Sequence, residues 1–194
     1  SKIGVQSQSG IIQDASKVLA KHPAAWLLLG NATSVDFAKK IRAESPSTLI
    51  LLRAKPDNWA LSFAWTRDFI TRSLLAAKPF QDAGVIDFLL PPNEPVVSND
   101  VEAKILNALM VMVAEQYKAE GFATGAYNFS VGNPPYALWE FLQDGINASD
   151  GWLFLHEYGA PTLSTGAADL SLRHRNVRGL LPLIPNLKVG ITEA

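Results

Sequence analysis

Short, nearly continuous apolar runs alternate with longer amphipathic stretches from one end of the chain to the other. Such runs are typical of strands that are buried on both faces, as in a parallel sheet covered by helices. The pattern predicts seven strands, at residues 2–6, 25–29, 48–53, 85–90, 123–129, 151–155 and 187–191.

The stretches between the strands have helical periodicity. The clearest covers residues 100–120, where Ile105, Leu109 and Met112 recur on one face and Gly121 follows as a C-capping glycine. Pro135 suits the first turn of a further helix. The other predicted helices cover residues 14–21, 34–43, 63–78 and 168–181.

Repeated strand–helix units fit two α/β architectures, a doubly wound open sheet and a (β/α)₈ TIM barrel. An open sheet that binds nucleotides usually has a Gly-rich loop after its first strand, whereas here the segment 6–10 reads Gln-Ser-Gln-Ser-Gly. The pattern therefore favours a single domain over residues 1–194, a TIM barrel with seven βα strands present and the eighth missing. We expect the chain to be weakly active or inactive without that last unit.

Composition narrows the possible partners. The formal net charge is −1 and the basic residues are dispersed, so a nucleic-acid partner is not expected. The chain has no cysteine and no apolar run long enough to span a membrane. Its three histidines lack metal-ligand spacing, and we expect neither a metal nor a cofactor. The first residues do not resemble a signal peptide, and secretion is suggested only by the substrate class considered below.

Candidate chemistry collects where the predicted strands end, which is where barrel enzymes build their sites. Glu94 follows the fourth strand and Glu193 ends the seventh, so a barrel brings two distant carboxylates to one mouth. Such a pair is what glycoside hydrolysis requires. Asn128 ends the fifth strand and is a candidate partner of sugar hydroxyl groups, while Trp59 beyond the third is a candidate stacking platform.

Three motifs in this order resemble the clan A glycoside hydrolases, which include cellulase-like and mannanase-like barrels. They are Asn93-Glu94 after strand four, His156-Glu157-Tyr158 at strand six, and Glu193 at strand seven. The resemblance covers strands one to seven and implies a retaining O-glycosidase. Glu94 would be the acid/base and Glu193 the nucleophile, acting on an oligo- or polysaccharide.

The resemblance also implies roles for the neighbouring residues. Asn93 would hydrogen-bond the sugar 2-hydroxyl, and His156 would position Glu94 or the sugar. Tyr158 would hydrogen-bond Glu193 and keep it ionised.

Other interpretations of the same residues stay open at this point. Taken alone, the Asn-Glu-Pro segment at 93–95 is typical of an ordinary turn, and Glu193 could belong to a frayed terminus. A transglycosidase would use the same two Glu residues with a sugar hydroxyl in place of water. A non-catalytic carbohydrate-binding barrel, or an inactive barrel fragment, would use neither.

We predict that the carboxyl groups of Glu94 and Glu193 lie about 5–5.5 Å apart, as retaining glycosidases require. The Tyr158 hydroxyl should lie within about 3.2 Å of a Glu193 carboxyl oxygen, since this bond favours the ionised form. A crystal structure containing these side chains measures both distances. A carboxyl separation beyond about 9.5 Å contradicts the retaining assignment.

Overall fold

The computed structural model describes residues 5–7, 21, 26–30, 32–55, 57–157, 177, 179, 182 and 184–193. These residues contain seven strands, each overlapping a predicted one: β1 Val5–Ser7, β2 Trp26–Leu29, β3 Leu49–Leu52, β4 Phe88–Leu89, β5 Ala126–Phe129, β6 Trp152–His156 and β7 Lys188–Glu193. The apolar runs therefore located the strands to within a few residues.

The described helices are α1 Val35–Glu44, α2 Phe63–Asp82, α3 Asp100–Ala119, a 3₁₀ helix Tyr136–Leu142, and α4 Gln143–Ala148. Ser34, Ser62 and Asn99 cap the first three, because each side chain accepts a hydrogen bond from a backbone N–H in the first turn. The predicted helix at 14–21 and most of the one at 168–181 lie outside the described residues. None of the helices within the described ranges is long and apolar enough to cross a membrane.

All strand pairings are parallel, and the strands follow chain order. One sheet runs β1-β2-β3-β4 and another runs β5-β6-β7. A parallel bridge joins Phe88 of β4 to Ala123, and the Leu89 N–H donates to the Ala123 carbonyl at 2.9 Å. The bridge makes the two sheets neighbours, so the described strands form a barrel-like wall. Within the described residues β1 is not paired with β7, so barrel closure and seven complete βα units remain predictions.

The inner face of this wall has its own apolar cluster. It includes Leu28, Leu51 and Phe88 from the first sheet and Phe154 from the second. Side chains of both sheets can meet in one cluster only if the wall curves round them. The opposite face of the same strands packs against the helices, with Leu27 and Ile50 as examples. Alternate side chains thus fill two separate layers, as a TIM barrel requires.

Phe154 occupies a tight place inside the curve. Its ring lies against Gly125 of the segment before β5 and Gly190 of β7, and a Cβ atom at those positions would lie 2.5 Å and 2.8 Å from it. The ring also packs edge-on against Phe88, with centroids 5.9 Å apart. Two glycines therefore leave room for one large ring between neighbouring strands.

We predict that Gly125→Ala lowers the free energy of unfolding by about 1–3 kcal/mol, because the ring cannot move away from the new methyl group without meeting Gly190. Urea denaturation measures the change. Gly179→Ala is the matched control, because no atom of the described residues lies within 4 Å of the added Cβ. If Gly125→Ala unfolds at the same urea concentration as the unsubstituted chain, the proposed packing of Phe154 is incorrect.

Candidate active site

The candidate residues gather at one edge of the wall. Because the strands are parallel, their carboxyl ends lie on the same side, and the loops that leave them are neighbours. The described residues at this edge are Trp59 after β3, Asn93 and Glu94 after β4, Asn128 in β5, and His156 at the end of β6. The structure therefore brings together every candidate whose side chain it describes.

Glu94 and His156 are in direct contact. The His156 Nδ1 lies 2.9 Å from the Glu94 Oε1. The imidazole is fully buried, whereas 30% of the glutamate side chain is exposed. His156 is two residues beyond Phe154 and lies on the same, inner face of β6. His156 on the inner face of β6 therefore holds Glu94 at one oxygen, and part of the Glu94 side chain stays open to solvent.

The backbone of Glu94 is held in an unusual conformation. Its φ angle is +42°, in the left-handed region that most side chains avoid. Its N–H donates to the Asn128 carbonyl at 3.2 Å, which ties the β4 exit to β5. Tyr127 and Asn128 also have positive φ angles, of +70° and +62°. Backbone strain therefore concentrates where the candidate acid lies, as is common at functional sites.

Asn93 connects the β3 exit to the β4 exit. Its N–H donates to the Asp57 carbonyl at 2.9 Å, and its carbonyl accepts from the Trp59 N–H at 3.0 Å. Arg72 of α2 holds the same loop through an ion pair with the Asp57 carboxylate at 2.6 Å. Hydrogen bonds to Asp57 and then Asp68 raise the pKa of Arg72. The loop that carries Trp59 is thus fixed on two sides.

The Asn128 side chain is fully buried and is used inside the protein. Its Nδ2 donates to the Asn93 Oδ1 at 2.7 Å, and its Oδ1 accepts from the Thr192 hydroxyl at 2.6 Å. The sequence suggested Asn128 as a candidate partner of sugar hydroxyl groups. The observed bonds instead favour a role in holding Asn93 and Thr192 in place. Sequence reasoning did not select Thr192, because a Thr before the strand end looks like an ordinary strand residue.

Trp59 is partly buried at the same edge. Its indole Nε1–H donates to the Tyr127 carbonyl at 3.3 Å, and the ring packs against the hydrophobic core. This anchor fixes the ring in the loop after β3. Part of the side chain remains accessible to solvent.

Glu193 and Tyr158 complete the predicted set. The backbone of Glu193 belongs to β7 and pairs in register with His156, the residue that contacts Glu94. The side chain of Glu193 and the whole of Tyr158 lie outside the described residues, so the distances predicted for them remain predictions. Among the residues that are described, no group of three or more His, Cys, Asp or Glu side chains could hold a metal ion.

Comparison with known proteins finds relatives in fold only. No protein-family model and no curated protein matches the sequence. An endo-β1,6-glucanase superposes with a TM-score of 0.62 at 14% identity, over 100% of this chain and 57% of that protein. The catalytic domain of a mannanase from Streptomyces sp. SirexAA-E gives 0.60 at 14% identity, over 98% of this chain and 64% of that domain.

A sugar phosphate isomerase/epimerase from Parabacteroides distasonis is similar to nearly the same degree. Its TM-score is 0.57 at 16% identity, over 93% of this chain and 76% of that protein. At such identities the likeness shows a TIM-barrel-like fold and nothing more specific. The chain spans less than two thirds of either glycosidase structure.

The strain at Glu94 predicts an order of stability. We expect Glu94→Gly to unfold with a free energy about 1 kcal/mol higher than Glu94→Ala, because only glycine adopts a positive φ without steric cost. Both variants lose the contact with His156 equally, so their difference reports the backbone alone. Chemical denaturation measures it, and an alanine variant as stable as the glycine variant would contradict the strained conformation.

Proposed function

We propose that the protein containing this chain is a retaining O-glycosidase acting on an oligo- or polysaccharide, with Glu94 as acid/base and Glu193 as nucleophile. The observation that carries the proposal is the contact between Glu94 and His156, because His156 is also the residue beside Glu193 in the ladder. A single buried imidazole thus links the neighbourhoods of two carboxyl-bearing residues that are remote in sequence. The polar residues at the same site are also consistent with a carbohydrate as the substrate.

The first chemical step needs a proton donor and a nucleophile on opposite sides of the bond to be broken. Protonated Glu94 gives its proton to the glycosidic oxygen while the Glu193 carboxylate attacks the anomeric carbon. The bond to the leaving sugar breaks, and a glycosyl ester with Glu193 forms. A His156 that donates its Nδ1–H to Oε1 of Glu94 would leave Oε2 to carry the proton.

The second step reverses the roles of the same groups. Glu94, now a carboxylate, takes a proton from water as the water oxygen attacks the anomeric carbon. The ester bond breaks, and Glu193 returns to its ionised form. Two displacements at one carbon leave the product with the configuration of the substrate.

The surrounding residues supply binding. Asn93 is partly exposed beside Glu94 and would donate to the 2-hydroxyl, a contact that strengthens in the transition state. Trp59 would stack against the apolar face of a neighbouring sugar unit. Tyr158 would hydrogen-bond Glu193 and favour its ionised form.

Two other activities use the same edge of the barrel. A transglycosidase would run the first step unchanged and replace water by a sugar hydroxyl. A sugar isomerase or epimerase is a second candidate, because a sugar phosphate isomerase/epimerase matches a larger share of its own length, 76%, than either glycosidase does. Such an enzyme would move protons on a free sugar and would cleave no glycosidic bond.

We predict that substitutions of the two glutamates respond differently to the leaving group of the substrate, tested in the protein that contains this chain. Glu193→Ala should abolish turnover, and azide should restore it as a glycosyl azide of inverted configuration, because the small anion fills the vacated space. Glu94→Gln should slow substrates with sugar leaving groups by about 10²–10⁴-fold. It should spare dinitrophenyl glycosides, whose leaving group needs no proton. Glu115→Gln, on an exposed position of α3, is the matched control.

The products decide between the candidates. Proton NMR of the first-formed anomer should show retained configuration, and an added acceptor sugar reveals transglycosylation. Turnover that survives both glutamate substitutions would show that these residues are not catalytic. Interconversion of free sugars without cleavage of any glycoside would instead establish the isomerase.

A further inference from the structure

β5 carries one extra residue beside the site. Tyr127 pairs with Phe154 of β6, and Phe129 pairs with the next residue of β6, Leu155. Asn128 therefore lies between two paired residues without a partner of its own in the ladder. Its φ of +62° lets the chain insert the additional residue. Such insertions bend a strand and redirect a side chain, and they are frequent next to active sites.

β7, on the other side of β6, has an equivalent insertion at the same level. Ile191 pairs with Leu155, whereas Glu193 pairs with His156, so Thr192 is the extra residue. The Thr192 hydroxyl lies 2.6 Å from the Asn128 Oδ1 and 3.3 Å from the Leu155 carbonyl. The two inserted residues thus bind each other across β6, and both are fully buried.

The placement of the Asn128 amide gives this bond a direction. The Thr192 hydroxyl donates to the amide oxygen of Asn128 at 2.6 Å, because an amide oxygen can only accept. The Asn128 amide nitrogen then has to point the other way, where it donates to the Asn93 Oδ1 at 2.7 Å.

The same logic fixes Asn93. Its Oδ1 is engaged by Asn128, so its Nδ2 turns toward the open side of the site. There it has one long contact, to the Asn58 Oδ1 at 3.4 Å, which leaves most of its donor capacity for another acceptor. The series of hydrogen bonds from Thr192 through Asn128 to Asn93 therefore ends at the Asn93 Nδ2, an N–H donor of fixed orientation in the residue next to Glu94.

We propose that Asn128 and Thr192 are positioning residues that set the amide orientation of Asn93, so that it presents N–H rather than C=O to the 2-hydroxyl oxygen of the sugar. The proposal rests on the proposed glycosidase function for the identity of that acceptor. The amide orientation itself does not depend on it. A donor held in place before the substrate arrives contributes most where charge develops in the transition state.

Asn128→Asp tests the orientation with little change of shape. A carboxylate accepts from Thr192 as the amide oxygen does, but it cannot donate, so Asn93 must turn its own NH₂ inward. Asp is also among the few residues that tolerate a positive φ, which keeps the backbone unchanged. Thr192→Val removes the hydroxyl at constant shape, and Thr192→Ser restores it as the matched control.

The kinetic readout compares substrates with and without the 2-hydroxyl. Nitrophenyl β-glucoside and β-mannoside differ only at carbon 2, so one 2-deoxy glycoside serves as the reference for both. Asn128→Asp should lower kcat/KM on the hydroxylated substrate by about 10- to 100-fold and on the 2-deoxy substrate by no more than about threefold. Thr192→Val should also lower kcat/KM more on the hydroxylated substrate than on the 2-deoxy substrate, but by a smaller factor. Thr192→Ser should resemble the unsubstituted protein. Equal losses on both substrates would overturn the proposal.

Side-chain amide exchange by NMR gives a result that is independent of activity. In the unsubstituted protein the Asn128 NH₂ should exchange slowly and the Asn93 NH₂ quickly. Asn128→Asp should slow exchange of the Asn93 NH₂ by about tenfold or more, because that group becomes buried. Unchanged Asn93 exchange would refute the orientation even in an active enzyme. If the protein containing this chain shows the expected exchange but cleaves neither these glycosides nor any oligo- or polysaccharide, the glycosidase is refuted and the orientation stands.

Discussion

The buried amide of Asn128 is the interaction on which the site depends. Its side chain joins Asn93 to Thr192, and its carbonyl accepts from the N–H of Glu94. The exits of β4 and the ends of β5 and β7 are therefore held by one residue. A buried amide without partners is costly, so a network of this kind is stable only when every group is paired. The candidate acid and the candidate sugar donor consequently share a single support.

The positions of the strands and helices could be predicted because each depends on the pattern of residues that are close together in the sequence. Apolar runs located the strands, and helical periodicity located α1, α2 and α3 to within a few residues. The sequence predicted that the helix beginning at residue 63 ends at residue 78, just before Pro79. In the structure this helix, α2, continues to Asp82. Pro79 removes the N–H that would bond the Leu75 carbonyl and its ring crowds that carbonyl, so burial of Phe80 against the core must favour the extra turn enough to offset this cost.

The arrangement within the site could not be read from the same signals. The edge was predicted from strand order, and Glu94 and His156 meet there as that order required. The inserted residues Asn128 and Thr192 are visible only once each strand is paired with β6, because register is a property of two strands and not of one. Asn128 was accordingly named only as a candidate partner of sugar hydroxyl groups, and in the structure both ends of its amide are bonded within the protein.

The strained residues of the site and the packed interior lie at successive levels of the wall, and this bears on function. The positive φ angles at Glu94 and Asn128 lie at the carboxyl edge, where each costs on the order of 1–3 kcal/mol. The close packing of Phe154 against glycines lies one layer deeper and depends on none of the site's polar groups. A barrel-like wall built in this way can change its polar edge while its interior stays intact. That explains why one fold resembles both glycosidases and sugar isomerases, and why the assignment of function has to rest on Glu94, His156 and Asn93 rather than on the barrel.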